Sequence, residues 1–213
     1  MHTRREIILV RHGQPQTSAL PLTGFEIGNW GREYDKCEID GQLPPPKGLR
    51  ELTQSVACVL ASDRLRSQVS ASWLRPQGDI QIDSELREAP LPESIDVSIR
   101  LSPGAWVVIA RLVWWFNLRR SEESIQEVRL RAARVADRLT RRAEECGSLM
   151  VVGHGMFNRF VASQLRRRGW VGPRLLPRGY WASARFLRSP RIRSTESSRM
   201  LNEHTTKPNR PRR

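Results

Sequence analysis

The sequence predicts an α/β fold: a three-layer sandwich with a mostly parallel central sheet and a helical insertion. Apolar runs of four to six residues recur along the chain, and uninterrupted runs of that length mark strands buried on both faces. Between them lie stretches whose apolar residues repeat at three- and four-residue steps, the period of a helix with one buried face. Strands alternating with helices form a mostly parallel sheet joined by right-handed crossovers.

Ile7–Val10 is the first such run, Val56–Ala61 the second, Ile80–Asp83 a weaker third and Leu149–Val152 the fourth. Tyr180–Leu187 reads as a late fifth strand. Helices are predicted near Lys47–Ser55, Arg64–Leu74, Glu122–Cys146 and Phe157–Arg168. In the long third helix Ile125, Val128, Ala132, Val135 and Leu139 line one face, and Arg131, Arg134, Arg138, Arg141 and Arg142 spread mainly over the rest. Ser121 ahead of Glu122-Glu123 fits an N-cap, and Gly147 fits the residue just past the C-terminus.

Two segments break the alternation. Pro15–Pro46 is rich in Gly and Pro and reads as a surface loop. Ala89–Arg120 is an insertion whose Trp106, Trp114 and Trp115 fit core packing, a substrate lid or a dimer contact, with core packing favoured. Residues 1–188 therefore form one domain, with the insertion at about 89–120. Residues 189–213 form a basic tail without periodicity, read as disordered.

The formal charge of +14 has two readings. It favours anionic partners, or it reflects Arg used in place of Lys, since only Lys36, Lys47 and Lys207 are not Arg among the 36 basic residues. No aromatic stacking pattern accompanies the basic stretches, which argues against a nucleic-acid partner. Three cysteines without a CxxC pair fit a reduced cytoplasm. The four-residue apolar run after the charged start is too short for a signal peptide. Ala105–Phe116 is broken by Arg111 and falls short of the roughly 20 residues that span a bilayer. A soluble cytoplasmic protein without membrane attachment is the expectation, its oligomeric state open.

Ligands of open α/β sheets bind beyond the carboxyl ends of the strands. Those ends carry Arg11-His12-Gly13, then Ser62 with Arg66 four residues later, then Leu86-Arg87-Glu88, then Gly153-His154-Gly155. A single strand-end histidine is more often structural. Two His-Gly turns joined by an arginine and a carboxylate at the other strand ends form a set that is hard to explain that way.

In order and spacing, LVRHG (Leu9–Gly13), Ser62–Arg66, LRE (Leu86–Glu88) and VVGHG (Val151–Gly155) resemble the histidine phosphatase superfamily, also called phosphoglycerate mutase-like. The resemblance runs over roughly residues 6 to 188. It implies a phosphatase in which His12 is the nucleophile and passes through a phosphohistidine, and Arg11, Arg66 and His154 form the phosphate pocket. Gly155 and Ser18 border that pocket, and Glu88 is the general acid and later the base. Glu123-Ser124 also looks like the pair that opens the corresponding family helix. Neither cofactor nor metal is implied, and the expected substrate is a small phosphorylated metabolite.

This set suits the chemistry. Charge spreads over three phosphoryl oxygens during transfer, so positioning and positive charge dominate catalysis. Arg11 and Arg66 offer planar donor forks, a neutral His12 can attack in line, and His154 would add charge-assisted donation if protonated. Three departures from the family pattern bear on the substrate. Ser18 stands where many relatives carry Asn. Leu43–Leu49 replaces a usual LT-x-x-G stretch, and Arg64-Leu65 reverses the common order before Arg66. A stretch resembling ERHYG, typical of mutases, is missing.

Overall fold

The computed structural model of the chain describes residues 5–119 and 121–188. The predicted tail, His2 and His204 lie outside them. Five strands form one sheet: β1 (Arg5–Arg11), β2 (Cys58–Ala61), β3 (Ile80–Ile82), β4 (Ser148–Gly153) and β5 (Ser183–Arg188), in the order β3-β2-β4-β1-β5. All neighbours pair in parallel except β5, which runs antiparallel to β1 at the edge.

Alternation along the central strands sends one face to each helical layer. Ile7 and Leu9 of β1, with Leu149 and Val151 of β4, pack against α5 (Ile125–Cys146) and α6 (Gly155–Arg167). Ile8, Val10, Val59, Met150 and Val152 point the other way, onto α2 (Lys47–Gln54) and α3 (Leu65–Leu74). The result is a three-layer sandwich, and the continuous apolar runs are explained by burial on both faces. Each fully buried aliphatic side chain contributes roughly 1.5–3 kcal/mol.

The helix boundaries carry one correction. Ser124, not Ser121, caps α5: its hydroxyl accepts from the Glu127 amide while the Glu127 carboxylate accepts from the Ser124 amide. Gly147 ends the helix at φ +83°, a conformation that suits glycine.

The stretch Pro15–Pro46 is more than a loop, since α1 (Ile27–Lys36) lies within it. Gly28 and Gly31 weaken the helical signal of that segment. Gly28 is needed for contact, because a Cβ there would sit 2.0 Å from the Glu93 carbonyl oxygen. The insertion contributes α4 (Pro103–Trp115), and the two interruptions pack on each other. Leu22, Ile27, Ile95, Trp106 and Ala110 form a small separate core. Leu22 pairs with Leu101, and the Trp106 indole N–H donates to the Leu22 carbonyl at 2.6 Å. Trp106 and Trp114 are core residues, whereas Trp115 is 46% exposed and stacks on Phe160. Among the described residues no helix is long and apolar enough to cross a membrane.

Candidate active site

Parallel pairing puts Arg11 of β1 in register with Gly153 of β4, so His12 and His154 leave adjacent strand ends. The His12 amide donates to the Gly153 carbonyl and the Ser62 amide to the Val152 carbonyl, each at 3.0 Å. The two imidazole centroids are 5.1 Å apart. Gly13 lets the Trp181 ring close over the turn, since a Cβ there would meet that ring at 2.4 Å.

His12 is buried, and its Nδ1 lies 2.7 Å from the Gly13 carbonyl oxygen. A carbonyl only accepts, so Nδ1 carries the hydrogen and Nε2 the lone pair. The Arg66 Nε–H donates to that lone pair at 3.3 Å. Burial first, and then the charge of Arg66, hold the His12 pKa well below its ordinary 6.5; Arg11 adds to the effect and the Gly13 bond opposes it. The ring is neutral near pH 7, the form that can act as a nucleophile.

His154 is fully buried. Its Nδ1 accepts from Arg66 Nη2 at 3.3 Å, which leaves Nε2–H to donate to the Ser62 hydroxyl at 3.0 Å. Burial, then Arg66, then His12 lower its pKa well below 6.5. Its surroundings therefore favour the neutral ring over the protonated donor that the sequence reading considered.

Arg66 enters from the first turn of α3 and is 1% exposed. Beyond the two histidines it donates to the Tyr34 carbonyl at 3.1 Å and to Asp35 Oδ1 at 3.0 Å, and its guanidinium lies 4.6 Å from the Tyr34 ring centroid. Arg64 pairs with the other Asp35 oxygen at 2.9 Å. The Arg11 guanidinium lies 4.4 Å from the Tyr180 ring centroid, and its shielded Nε has no acceptor in the protein. Gly155 lies beside Arg11, where a Cβ would be in ordinary van der Waals contact, 3.4 Å from that Nε.

Glu88 sits at the start of α6, where its carboxylate accepts from the amides of Phe157 (2.7 Å), Met156 (3.0 Å) and Ala89 (3.0 Å). The positive end of a helix favours an anion there. Arg131 holds the turn that carries Glu88. It donates to the carbonyls of Glu85 (2.7 Å) and Arg87 (2.8 Å), forks onto the Glu123 carboxylate, and lies over the Phe157 ring at 4.0 Å. The reading of Arg131 as a surface residue is corrected: it is 9% exposed. Its place beside Ala132, at the edge of the apolar stripe, could have signalled this.

A cleft of about 1050 Å³ is lined by Arg11, His12, Arg66, Glu88, His154 and Gly155, so the fold brings these six together. Ser18 is not among them. It is exposed, and its hydroxyl accepts from the Leu20 amide at 3.2 Å. Sequence reasoning missed Tyr34 and Asp35, which belong to the unrecognised α1. It also missed Tyr180, which follows the glycine Gly179 at φ +101°.

The family model described as histidine phosphatase superfamily (branch 1) matches residues 47–189. No curated protein matches the sequence. Several solved structures share the fold. A mycobacterial protein described as hydrolase 2 superposes with TM-score 0.60 at 18% identity, over 93% of this chain and 88% of its own. A mycobacterial glucosyl-3-phosphoglycerate phosphatase gives 0.53 at 19% identity, over 77% and 80%. A phosphoserine phosphatase from Entamoeba histolytica, in complex with 3-phosphoglyceric acid, gives 0.55 at 12% identity, over 84% and 89%.

Proposed function

Since the chain belongs to the histidine phosphatase superfamily, we propose that it hydrolyses phosphate monoesters of small metabolites through a phosphohistidine at His12. One observation carries this reading. The bond from His12 Nδ1–H to Gly13 leaves a neutral Nε2 lone pair facing a pocket of Arg11, Arg66 and His154.

When the phosphoryl group enters, Arg66 exchanges His12 Nε2 for a phosphate oxygen. The Nε2 lone pair forms the P–N bond as the P–O bond to the leaving group breaks. The leaving oxygen keeps that electron pair and takes a proton from Glu88. Water then attacks phosphorus, its proton passes to the Glu88 carboxylate, and the P–N electron pair returns to Nε2. Arg11 and Arg66 offset charge on the phosphoryl oxygens in both steps. Proton transfer by Glu88 accounts for about 10²–10⁴-fold of the rate, most for poor leaving groups. To donate, Glu88 must carry a proton and release its amide contacts at α6.

Hydrolysis of p-nitrophenyl phosphate in the presence of EDTA tests the reading. Wild type should turn over, and His12→Ala should lose at least about 10³-fold in kcat. Equal rates in the two proteins would remove His12 from the reaction.

A further inference from the structure

Arg66 and Arg11 both lie beside His12, and the protein holds them by different means. Arg66 is fixed through its N–H groups, which reach His12, His154, Asp35 and the Tyr34 carbonyl. Arg11 has no carboxylate partner among the described residues, and its shielded Nε has no acceptor in the protein. Its guanidinium rests instead on an aromatic face, 4.4 Å from the Tyr180 ring centroid. A cation over a π face is attracted without giving up an N–H, so the donor edge remains free. A carboxylate would occupy that edge and repel an incoming anion.

The chain is shaped to put Tyr180 there. Gly179 has φ +101° and Trp181 φ +57°, so two residues of positive φ flank Tyr180. The backbone rather than space requires the glycine, since a Cβ at 179 would meet no atom within 4 Å. A bulky residue such as Trp181 adopts positive φ only where its surroundings over-determine it. Here its indole N–H donates to the Leu43 carbonyl at 3.1 Å and its amide to the His12 carbonyl at 3.3 Å. Its ring closes over Gly13, and the Arg11 amide donates to the Ala182 carbonyl at 2.9 Å. The strained turn is thus bonded to the strand end that carries Arg11 and His12. It brings one ring to both, the Tyr180 and His12 centroids being 5.8 Å apart. Arg11, His12 and Tyr34 line the cleft, whereas Tyr180 does not. Tyr180 therefore acts on a bound anion through Arg11 rather than by touching it.

We propose that Tyr180 is a positioning residue, its ring holding the Arg11 guanidinium so that the N–H edge stays open to the phosphoryl oxygens, and that the turn from Gly179 to Trp181 serves to place it. This inference rests on reading Arg11 as part of the phosphate pocket in the proposed hydrolysis. The ring carries the role. The hydroxyl has a separate neighbour in the Tyr34 phenol, whose pKa is raised by burial first and then by Tyr180.

A double-mutant cycle on the binding of inorganic phosphate, measured by calorimetry, tests the assignment. Tyr180→Leu should weaken binding about 5- to 30-fold, and Tyr180→Phe, which keeps the face, no more than about 2-fold. In the Arg11→Ala background Tyr180→Leu should cost no more than about 2-fold, since the group it holds is gone. A merely structural role would give the same loss with and without Arg11. Gly179→Ala leaves the ring intact and strains only the turn, so it should give a smaller loss that also vanishes with Arg11. It carries the comparison if Tyr180→Leu does not fold. In p-nitrophenyl phosphate hydrolysis Tyr180→Leu should lower kcat as well as raise KM, because Arg11 also offsets charge in the transition state. Equal losses in the two backgrounds, or a loss in Tyr180→Phe as large as in Tyr180→Leu, would overturn the inference. Failure of wild type to hydrolyse any ester would instead sink the phosphatase reading, and leave the binding cycle readable.

Discussion

Asp35 places a carboxylate oxygen 3.0 Å from the buried guanidinium of Arg66, so the cation at the centre of the cleft is paired before any phosphate arrives. Its other donors reach His12, His154 and the Tyr34 carbonyl, so four of its five N–H groups are engaged and a phosphoryl group that takes more than one of them must displace an acceptor. Asp35 is the one that repels an incoming anion.

Asp35→Asn should therefore bind inorganic phosphate more tightly, by about 3- to 10-fold; the gain is modest because Asp35 is partly solvated. Product inhibition of p-nitrophenyl phosphate hydrolysis measures it. Weaker phosphate binding in the variant would mean that Asp35 chiefly holds Arg66 in place.

His12 and His154 set a pH dependence of stability. Both have pKa values well below 6.5 in the folded protein. In the unfolded chain they take up protons near the ordinary value of about 6.5, whereas the folded state stays neutral. Stability should therefore decline as pH falls below about 6.5, and these residues should add no slope above it. Urea unfolding midpoints between about pH 7.5 and pH 5.5 should fall less steeply for His12→Asn than for wild type. Equal slopes would show that His12 binds protons alike in both states.

The proposed reaction and the contacts at α6 give Glu88 two jobs that two substitutions separate. As a proton donor it matters most when the leaving group is a poor one, so Glu88→Gln should slow alkyl phosphates about 10²-fold or more and aryl phosphates much less. As an acceptor for the α6 amides it is an N-terminal cap, and Glu88→Ala should cost about 1 kcal/mol of stability, with Gln retaining part of it. Chemical denaturation reads the second effect. Equal loss on both ester types would leave Glu88 a structural or water-activating role only.

How much of this was legible in the sequence follows from what each signal depends on. Strands buried on both faces leave uninterrupted apolar runs, so β1, β2 and β4 could be read, and with them the strand ends that carry His12, Ser62 and His154. The α5 stripe was equally plain, because Val128, Val135 and Leu139 face the sheet at helical spacing. The helix α1 was not legible. Gly28 serves close approach to the insertion, Gly31 is a second weak helix former, and the helix buries only Ile27. Tyr34 and Asp35, which complete the surroundings of Arg66, were lost with it. Arg131 was misread for a different reason: an arginine can be buried when carbonyls and a carboxylate satisfy its fork, and those partners lie on two other segments.

The proposed hydrolysis turns on a covalent phosphoryl group at His12. Rapid quench of the protein with a phosphate monoester under conditions that preserve acid-labile phosphoramidates, followed by peptide mass spectrometry, measures it directly. A phosphoryl adduct is expected on the imidazole of His12, absent from His12→Ala and discharged by water on chase. Steady turnover of the same ester with no adduct at His12, or with the adduct on another residue, would contradict it.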